Sequence, residues 1–231
     1  MLRLEDIRTQ QGTFTLEAAM TLQEGRKYAV IGPSGAGKST FLNALCGFLP
    51  LAAGRLSVKE TDITNAPPGQ RPMTMVFQDN NLFPHLTAMQ NVGLGIAPDL
   101  RLKQEDHDRI KEALARVGLH EFGARKPGAL SGGQQSRVAL ARVLVQARPW
   151  VLLDEPFAAL GPALRNEMLD LVQDLVAETG AGLIMVSHAP EDVRRVADEA
   201  IFVAEGRAHA PVETAELLDD PPPALRAYLG L

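Results

Sequence analysis

Cysteine is nearly absent from this chain: Cys46 is the single one among 231 residues. No intramolecular disulfide can form, which fits a reducing compartment such as the cytosol. Long apolar runs are also missing. No stretch approaches the roughly 18 residues needed to span a bilayer, so a membrane role must come through a partner. The opening Met1-Leu-Arg-Leu-Glu-Asp6 does not read as a signal peptide. Positive charge is in deficit. The net charge of −5 gives no support to a nucleic-acid-binding surface. No internal repeat or low-complexity tract is present. What remains is a chain 45% hydrophobic, long enough for one large domain or a domain with a sizeable insertion.

What is present is chemically pointed. Gly32-Pro33-Ser34-Gly35-Ala36-Gly37-Lys38-Ser39-Thr40 fits G-x-x-x-x-G-K-[ST] without a gap. Phosphates carry dense negative charge and must be approached closely. Glycines allow this, because no side chain keeps the backbone N–H groups away. Lys38 supplies a point charge for the β- and γ-phosphates, and Ser39 a hydroxyl for Mg²⁺. The helix expected from Lys38 to Leu49 adds its positive N-terminal end. Lys27-Tyr-Ala-Val-Ile31 reads as a buried strand, so the order is strand, glycine loop, helix.

A second block follows. Val151-Leu152-Leu153 reads as another buried strand, with Asp154 at its C-terminal end, where open α/β sheets gather ligands. Asp154 can hold Mg²⁺, directly or through water. Glu155 can orient or deprotonate the water that attacks a phosphoryl group. Ser131-Gly132-Gly133-Gln134 opens a helix expected to run to Gln146, with Ser131 as a good N-cap. Its N–H groups form a second anion-binding helix start. A chain with one nucleotide loop but two such helix starts points to a dimer with nucleotide between the copies.

The set P-loop, Gln78, Leu130-Ser-Gly-Gly-Gln134, Leu152-Leu-Asp-Glu-Pro156 and Ser187-His188, in this order, resembles the ATP-binding cassette (ABC) family over about residues 1 to 210. The resemblance implies an α/β fold: a P-loop NTPase ABC cassette with a mixed-sheet core and a helical subdomain. It implies a single domain over 1–231, with 1–87 and 148–231 as a RecA-like core with an N-terminal β region, and 88–147 as the helical subdomain. It implies ATP and Mg²⁺ as ligands and an ATP-dependent, head-to-tail homodimer. Gln78, after the strand Thr74–Phe77, matches the loop glutamine that contacts Mg²⁺ and senses the membrane partner. His188, after the strand Gly182–Ser187, matches the switch histidine that contacts the γ-phosphate. Such an ATPase works on membrane permease subunits at the cytoplasmic face of the bacterial inner membrane, and indirectly with a periplasmic solute-binding protein. No nucleic-acid partner is expected.

Pro68-Gly-Gln-Arg71-Pro72 and Leu82-Phe-Pro-His-Leu-Thr87 resemble the ATPases of binding-protein-dependent importers. Gly47-Phe-Leu49, Asn80-Asn-Leu-Phe83, Gln90-Asn-Val-Gly-Leu-Gly95 and Arg165-Asn-Glu-Met-Leu169 resemble the branch that imports thiamine. An export or lipid-handling complex is a second class, opposed by the importer-like segments around Gln78. A soluble ABC protein acting on DNA or ribosomes is a third. It would need coiled-coil insertions or tandem cassettes, and the sequence has neither. Three departures stand out. Gln11 occupies the position of the family's adenine-stacking aromatic, with Phe14 the nearest substitute. Gly161 stands where an interface aspartate is usual. Gln135-Ser136 replaces a more usual Arg-Gln pair, while Arg137 is retained. Between 88 and 147, Ile110, Leu114 and Val117 recur at helical spacing. Met168, Leu171, Val172, Leu175 and Val176 stripe a helix from Pro162 to Thr179. Asp219-Asp-Pro-Pro-Pro223 precedes a short tail.

Overall fold

The computed structural model describes residues 1–230; Leu231, the last residue of the expected domain range, lies outside them. The chain begins with β1 (Leu2–Gln11), β2 (Phe14–Leu22), β3 (Lys27–Ile31), α1 (Lys38–Cys46), β4 (Leu51–Val58) and β5 (Thr61–Asp62). Then come β6 (Met73–Val76), α2 (Ala88–Gly93), α3 (Gln104–Arg116) and α4 (Gly132–Gln146). Strands and helices alternate afterwards: β7 (Trp150–Asp154), α5 (Pro162–Thr179), β8 (Gly182–Val186), α6 (Pro190–Val196) and β9 (Glu199–Ala204). The end holds β10 (Arg207–Ala208), β11 (Val212–Glu213), α7 (Thr214–Asp219) and α8 (Pro223–Leu229).

These elements form two compact units. The first comprises Met1–Met73, Pro149–Asp154 and Gly180–Leu231; the second Thr74–Arg148 and Glu155–Thr179. In the first unit the strands lie in the order β5-β4-β1-β2-β10-β9-β3-β8-β7, with β11 also on β9. The strands β9, β3, β8 and β7 are parallel neighbours, while β4, β1 and β2 are antiparallel. The alternation in β1, Leu2, Leu4, Ile7 and Thr9 buried, marks a sheet with one covered face. By contrast, β7 and β8 are buried at every position, as strands covered on both faces must be. Trp150 at the start of β7 packs its ring on Gly182, where a Cβ would lie 2.5 Å from Trp150 Cζ3.

Helix α1 stops at Cys46, three residues before the expected end. Gly47 takes the left-handed conformation (φ 82°) and its N–H returns to Ala44 O, a glycine helix stop. The last carbonyls of α1 are taken by Arg71, whose guanidinium donates to Ala44 O at 2.8 Å and Leu45 O at 2.6 Å. It also donates to Ala66 O and Thr64 O. A Cβ on Gly47 would sit 2.5 Å from Arg71 Nε, so glycine is needed there for two reasons. Burial pulls the Arg71 pKa down and pushes the nearby Cys46 thiol up to about 12. Cys46 is therefore a neutral, inert core residue.

The second unit is wider than 88–147: it starts at Thr74 and takes in α5. The reason is packing. Gly133 lets α4 approach α5 closely, since a Cβ there would meet Leu164 Cδ2 at 2.6 Å. Arg137 pairs with Glu167, and Arg116 with Glu178. The α3 stripe is buried at Ile110, Ala113 and Leu114, with Val117 just beyond it. On α5 the buried residues are Met168, Leu169, Val172, Leu175 and Val176. Leu169 takes the place expected for Leu171, which is half-buried.

Candidate nucleotide-binding site

The glycine loop joins the C-terminal end of β3 to the N-terminus of α1. Its close packing explains its composition. A Cβ on Gly32 would lie 2.0 Å from the backbone oxygen of Val203 on β9. Gly37, the N-cap of α1, has φ 105°, and a Cβ there would meet Phe14 Cζ at 2.7 Å. Gly35 instead faces open space. The Lys38 side chain is 5% exposed. Its ammonium donates to Gly32 O and Pro33 O, each at 2.9 Å, which ties the charge to the loop's own backbone. Ser34 and Gly35 are exposed, Pro33 and Thr40 half-buried, and Ala36 buried.

One pair of sequence-marked residues meets directly. Ser39 Oγ donates to Asp154 Oδ1 at 3.1 Å, across 115 residues of chain. Asp154 ends the buried strand β7 and is itself buried. The pair fits the expected Mg²⁺. It offers one hydroxyl and one carboxylate oxygen, and this ion is usually held by one or two carboxylates with water and substrate phosphate oxygens completing its octahedron. Among the described residues no cluster of three or more His, Cys, Asp or Glu could hold a metal by itself. Glu155 follows in the left-handed conformation, φ 47°. A non-glycine residue there stores about 1–2 kcal/mol, and such strain concentrates at functional sites.

His188 follows β8 and is exposed. The turn before it is fixed by Ser187, whose hydroxyl donates to Asp192 Oδ2 at 2.9 Å and accepts from Ala189 N at 3.2 Å. The His188 ring bonds through Nδ1 to the hydroxyl of Tyr228 at 2.8 Å. Sequence reading offers no hint of this contact, because α8 lies 40 residues downstream and carries no motif. Gln11 and Phe14 are register partners in the β1–β2 hairpin. Thr40 Oγ1 donates to Gln11 Oε1 at 3.4 Å, and the Phe14 ring lies on Gly37. The departure at the adenine position and its nearest aromatic substitute thus both sit beside the P-loop.

The other marked residues belong to the second unit. Gln78 is exposed just after β6. Ser131 caps α4 as expected. Its hydroxyl accepts from Gln134 N at 3.3 Å, and Gln134 Oε1 accepts from Ser131 N at 2.9 Å, a reciprocal capping box. Gly132 is exposed and Gly133 buried. The unusual Gln135-Ser136 pair has a local use. Gln135 donates to Pro127 O and Leu130 O, and the buried Ser136 to Gly132 O. Gln135 ties the helix start to the turn before it, and Ser136 bonds back within the first turn of the helix itself. A Cβ on Gly161 would meet nothing within 4 Å, and its φ is not left-handed, so the fold does not require glycine there.

The family model described as "ABC transporter" matches residues 16–158. The protein named "Thiamine import ATP-binding protein ThiQ" of Ruegeria sp. (strain TM1040) is 57% identical over 230 residues, covering 100% of each chain. Its namesake in Cereibacter sphaeroides is 59% identical over 230 residues, again covering 100% of each. That of Shigella sonnei is 46% identical over 231 residues, covering 100% of this chain and 99% of that one. Among solved structures, the ADP conformation of MJ1267, an ATP-binding cassette of an ABC transporter, superposes with a TM-score of 0.88. It is 26% identical and covers 100% of this chain and 99% of its own. The dimeric post-hydrolysis state of the cassette MJ0796, bound to ADP and Pi, gives 0.80 at 29% identity, covering 93% and 99%. With the P-loop, the Ser39–Asp154 pair and the capped Ser131 helix in place, and with matches spanning the whole length, the chain belongs to the ABC transporter family.

Proposed function

We propose that the chain is the ATP-hydrolysing subunit of a binding-protein-dependent importer for thiamine or its phosphates. The observation that carries the catalytic half is the Ser39–Asp154 contact at the mouth of the P-loop. The names of the full-length relatives support the solute. In this reading Gly32 to Thr40 wrap the triphosphate, with backbone N–H groups and the start of α1 facing its oxygens. Lys38 exchanges its loop carbonyls for phosphate oxygens. Ser39, Asp154 and Gln78 would hold Mg²⁺, which when bound neutralises phosphate charge. Glu155 orients and deprotonates the attacking water, and His188 donates to the γ-phosphate. Ser131, Gly132, Gly133 and Gln134 of a second copy close on the same nucleotide, in a head-to-tail homodimer.

No helix among the described residues is long and apolar enough to cross a membrane. Translocation is therefore assigned to separate permease subunits, with this chain peripheral on the cytoplasmic face of the inner membrane and a periplasmic binding protein supplying the solute. The chain is read as one ABC domain, a RecA-like core carrying the helical subdomain 88–147. Glu155→Gln tests the chemistry. ATP should still bind, hydrolysis should fall by roughly 10²-fold or more, and the nucleotide-bound dimer should accumulate. Lys38→Ala should weaken binding itself. A normal hydrolysis rate in Glu155→Gln would remove Glu155 from the mechanism. Reconstituted with its permease and binding protein, the ATPase should be stimulated by thiamine; stimulation by an unrelated solute alone would sink the solute assignment.

A further inference from the structure

The C-terminal helix touches the histidine that the proposed mechanism uses. α8 is a built element of the first unit. Leu225 is fully buried in a cluster with Ala29, Ile31, Val193 and Phe202, and Tyr228 and Leu229 pack against the same cluster. Gly230 closes the helix in the left-handed conformation. Arg226 holds Asp220 at 3.1 Å. The Tyr228 ring is thereby fixed 6.4 Å from the His188 ring, centre to centre, at 53°. Its hydroxyl is 2.8 Å from His188 Nδ1 and 3.4 Å from His188 O.

A tyrosine hydroxyl has one proton to give, and between His188 Nδ1 and His188 O two arrangements compete. If the proton goes to Nδ1, that nitrogen is the acceptor and Nε2 carries the ring proton. If it goes to the carbonyl, Nδ1 carries the ring proton and Nε2 presents a lone pair. The first uses the 2.8 Å contact, near the best O–H donor distance, and the second relies on one at 3.4 Å, at the edge of bonding. Only the first gives a neutral imidazole a donor for a phosphate oxygen; the second sets lone pair against lone pair.

We propose that Tyr228 is a positioning residue for hydrolysis: its hydroxyl donates to His188 Nδ1 and holds the ring as the Nε2–H tautomer. The proposal rests on the reading of His188 as a γ-phosphate contact. It gives the tail after Asp219-Asp-Pro-Pro-Pro223 a part in the reaction although no tail residue is asked to touch the nucleotide.

The test uses the full chain labelled with ¹⁵N-histidine. The His188 signals are identified by their loss in His188→Gln. Without nucleotide, the wild type should give a lone-pair nitrogen at Nδ1 and a protonated nitrogen at Nε2. Tyr228→Phe keeps the ring packing and removes the hydroxyl; its His188 signals should move to a mixture of tautomers. Single-turnover ATP hydrolysis should then fall about fivefold, the equivalent of one neutral hydrogen bond, with ATP affinity unchanged. Tyr228→Leu should show the same two effects if the hydroxyl carries them. A wild-type ring protonated at Nδ1, or signals unmoved by Tyr228→Phe, overturns the proposal. Should His188→Gln hydrolyse ATP at the wild-type rate, the reading of His188 fails and the catalytic use of Tyr228 falls with it. The ring signals would still report separately whether Tyr228 sets the tautomer.

Discussion

The loop Gly32–Gly37 and the segment Gln78–Thr87 are held by opposite means. The first is shaped by missing side chains. Backbone approaches backbone at Gly32, an aromatic ring covers Gly37, and the one long side chain, Lys38, bonds to the loop's own carbonyls. The second is held by polar side chains. Asn91, fully buried, accepts from Phe83 N at 2.8 Å, and its two amide protons are shared among the carbonyls of Phe83, Leu86 and Thr87, 3.0–3.2 Å away. Arg142 donates to Asn91 O, Asn91 Oδ1 and Asn81 O, and burial lowers its pKa. Asn80 and Asn81 both stand at positive φ, 55° and 47°, a conformation asparagine tolerates better than most residues. A loop pinned by backbone contact keeps one shape. A loop pinned by a few hydrogen bonds over strained residues can be released by breaking those bonds, which suits the segment read as the sensor of the membrane partner.

Gly32→Ala should produce the largest effect. The added carbon would meet the Val203 backbone at 2.0 Å, which no rotamer change relieves, so strand β9 or the loop must move. The expected cost is above about 4 kcal/mol, seen as a collapse of the melting temperature and of nucleotide binding. Gly35→Ala is the contrast, because its Cβ would enter open space. Only its left-handed φ of 76° should cost, about 1 kcal/mol. Equal stability of the two variants would refute the idea that close backbone approach shapes this loop.

Asn91→Ala comes next. It removes the side-chain partner of the Phe83 N–H, of Leu86 O and of part of the Arg142 guanidinium, while Phe83 O and Thr87 O keep the backbone N–H groups of Leu86 and Asn91. The expected loss is about 3 kcal/mol. Amide exchange should rise first between 78 and 87 and leave the strands β3 and β8 protected. If exchange rises uniformly instead, Asn91 stabilises the unit as a whole and does not pin the segment.

The same contrast explains what could be read in the sequence. Close backbone approach demands glycine, and glycine at fixed spacing is visible in one dimension. Buried parallel strands are visible too, as the apolar runs Lys27–Ile31 and Gly182–Val186. The Ser131 cap was legible because its partner Gln134 is three residues away. Asn91 bonds to residues only four to eight positions back, but nothing in its residue type says that its amide turns into that segment. Arg142 carries no local mark at all: its bonds span 51 and 61 residues. Tyr228 was hidden for the same reason. The early stop of α1 does have a local mark, Gly47 as its left-handed cap; what lies out of local reach is Arg71, which takes the last carbonyls from 26 residues away.

The smallest effect is expected at the edge of the first region, where Gln11 faces Thr40. Stacking a base on an aromatic ring contributes roughly 1–3 kcal/mol. Gln11 cannot supply it, but its register partner Phe14 lies beside it in the hairpin, against Gly37. The two explanations separate cleanly. If no ring stacks on adenine in the natural chain, Gln11→Tyr should tighten ATP binding by about 1 kcal/mol, roughly fivefold, and the natural chain should discriminate weakly between ATP and GTP. If Phe14 already stacks, Gln11→Tyr should add nothing and Phe14→Leu should lose a similar amount. Titrating both nucleotides into the three proteins decides between them. A gain for Gln11→Tyr together with a loss for Phe14→Leu would mean that the ring at 14 serves the P-loop through Gly37 rather than the base, since leucine would unpack the loop that both nucleotides share and weaken them equally.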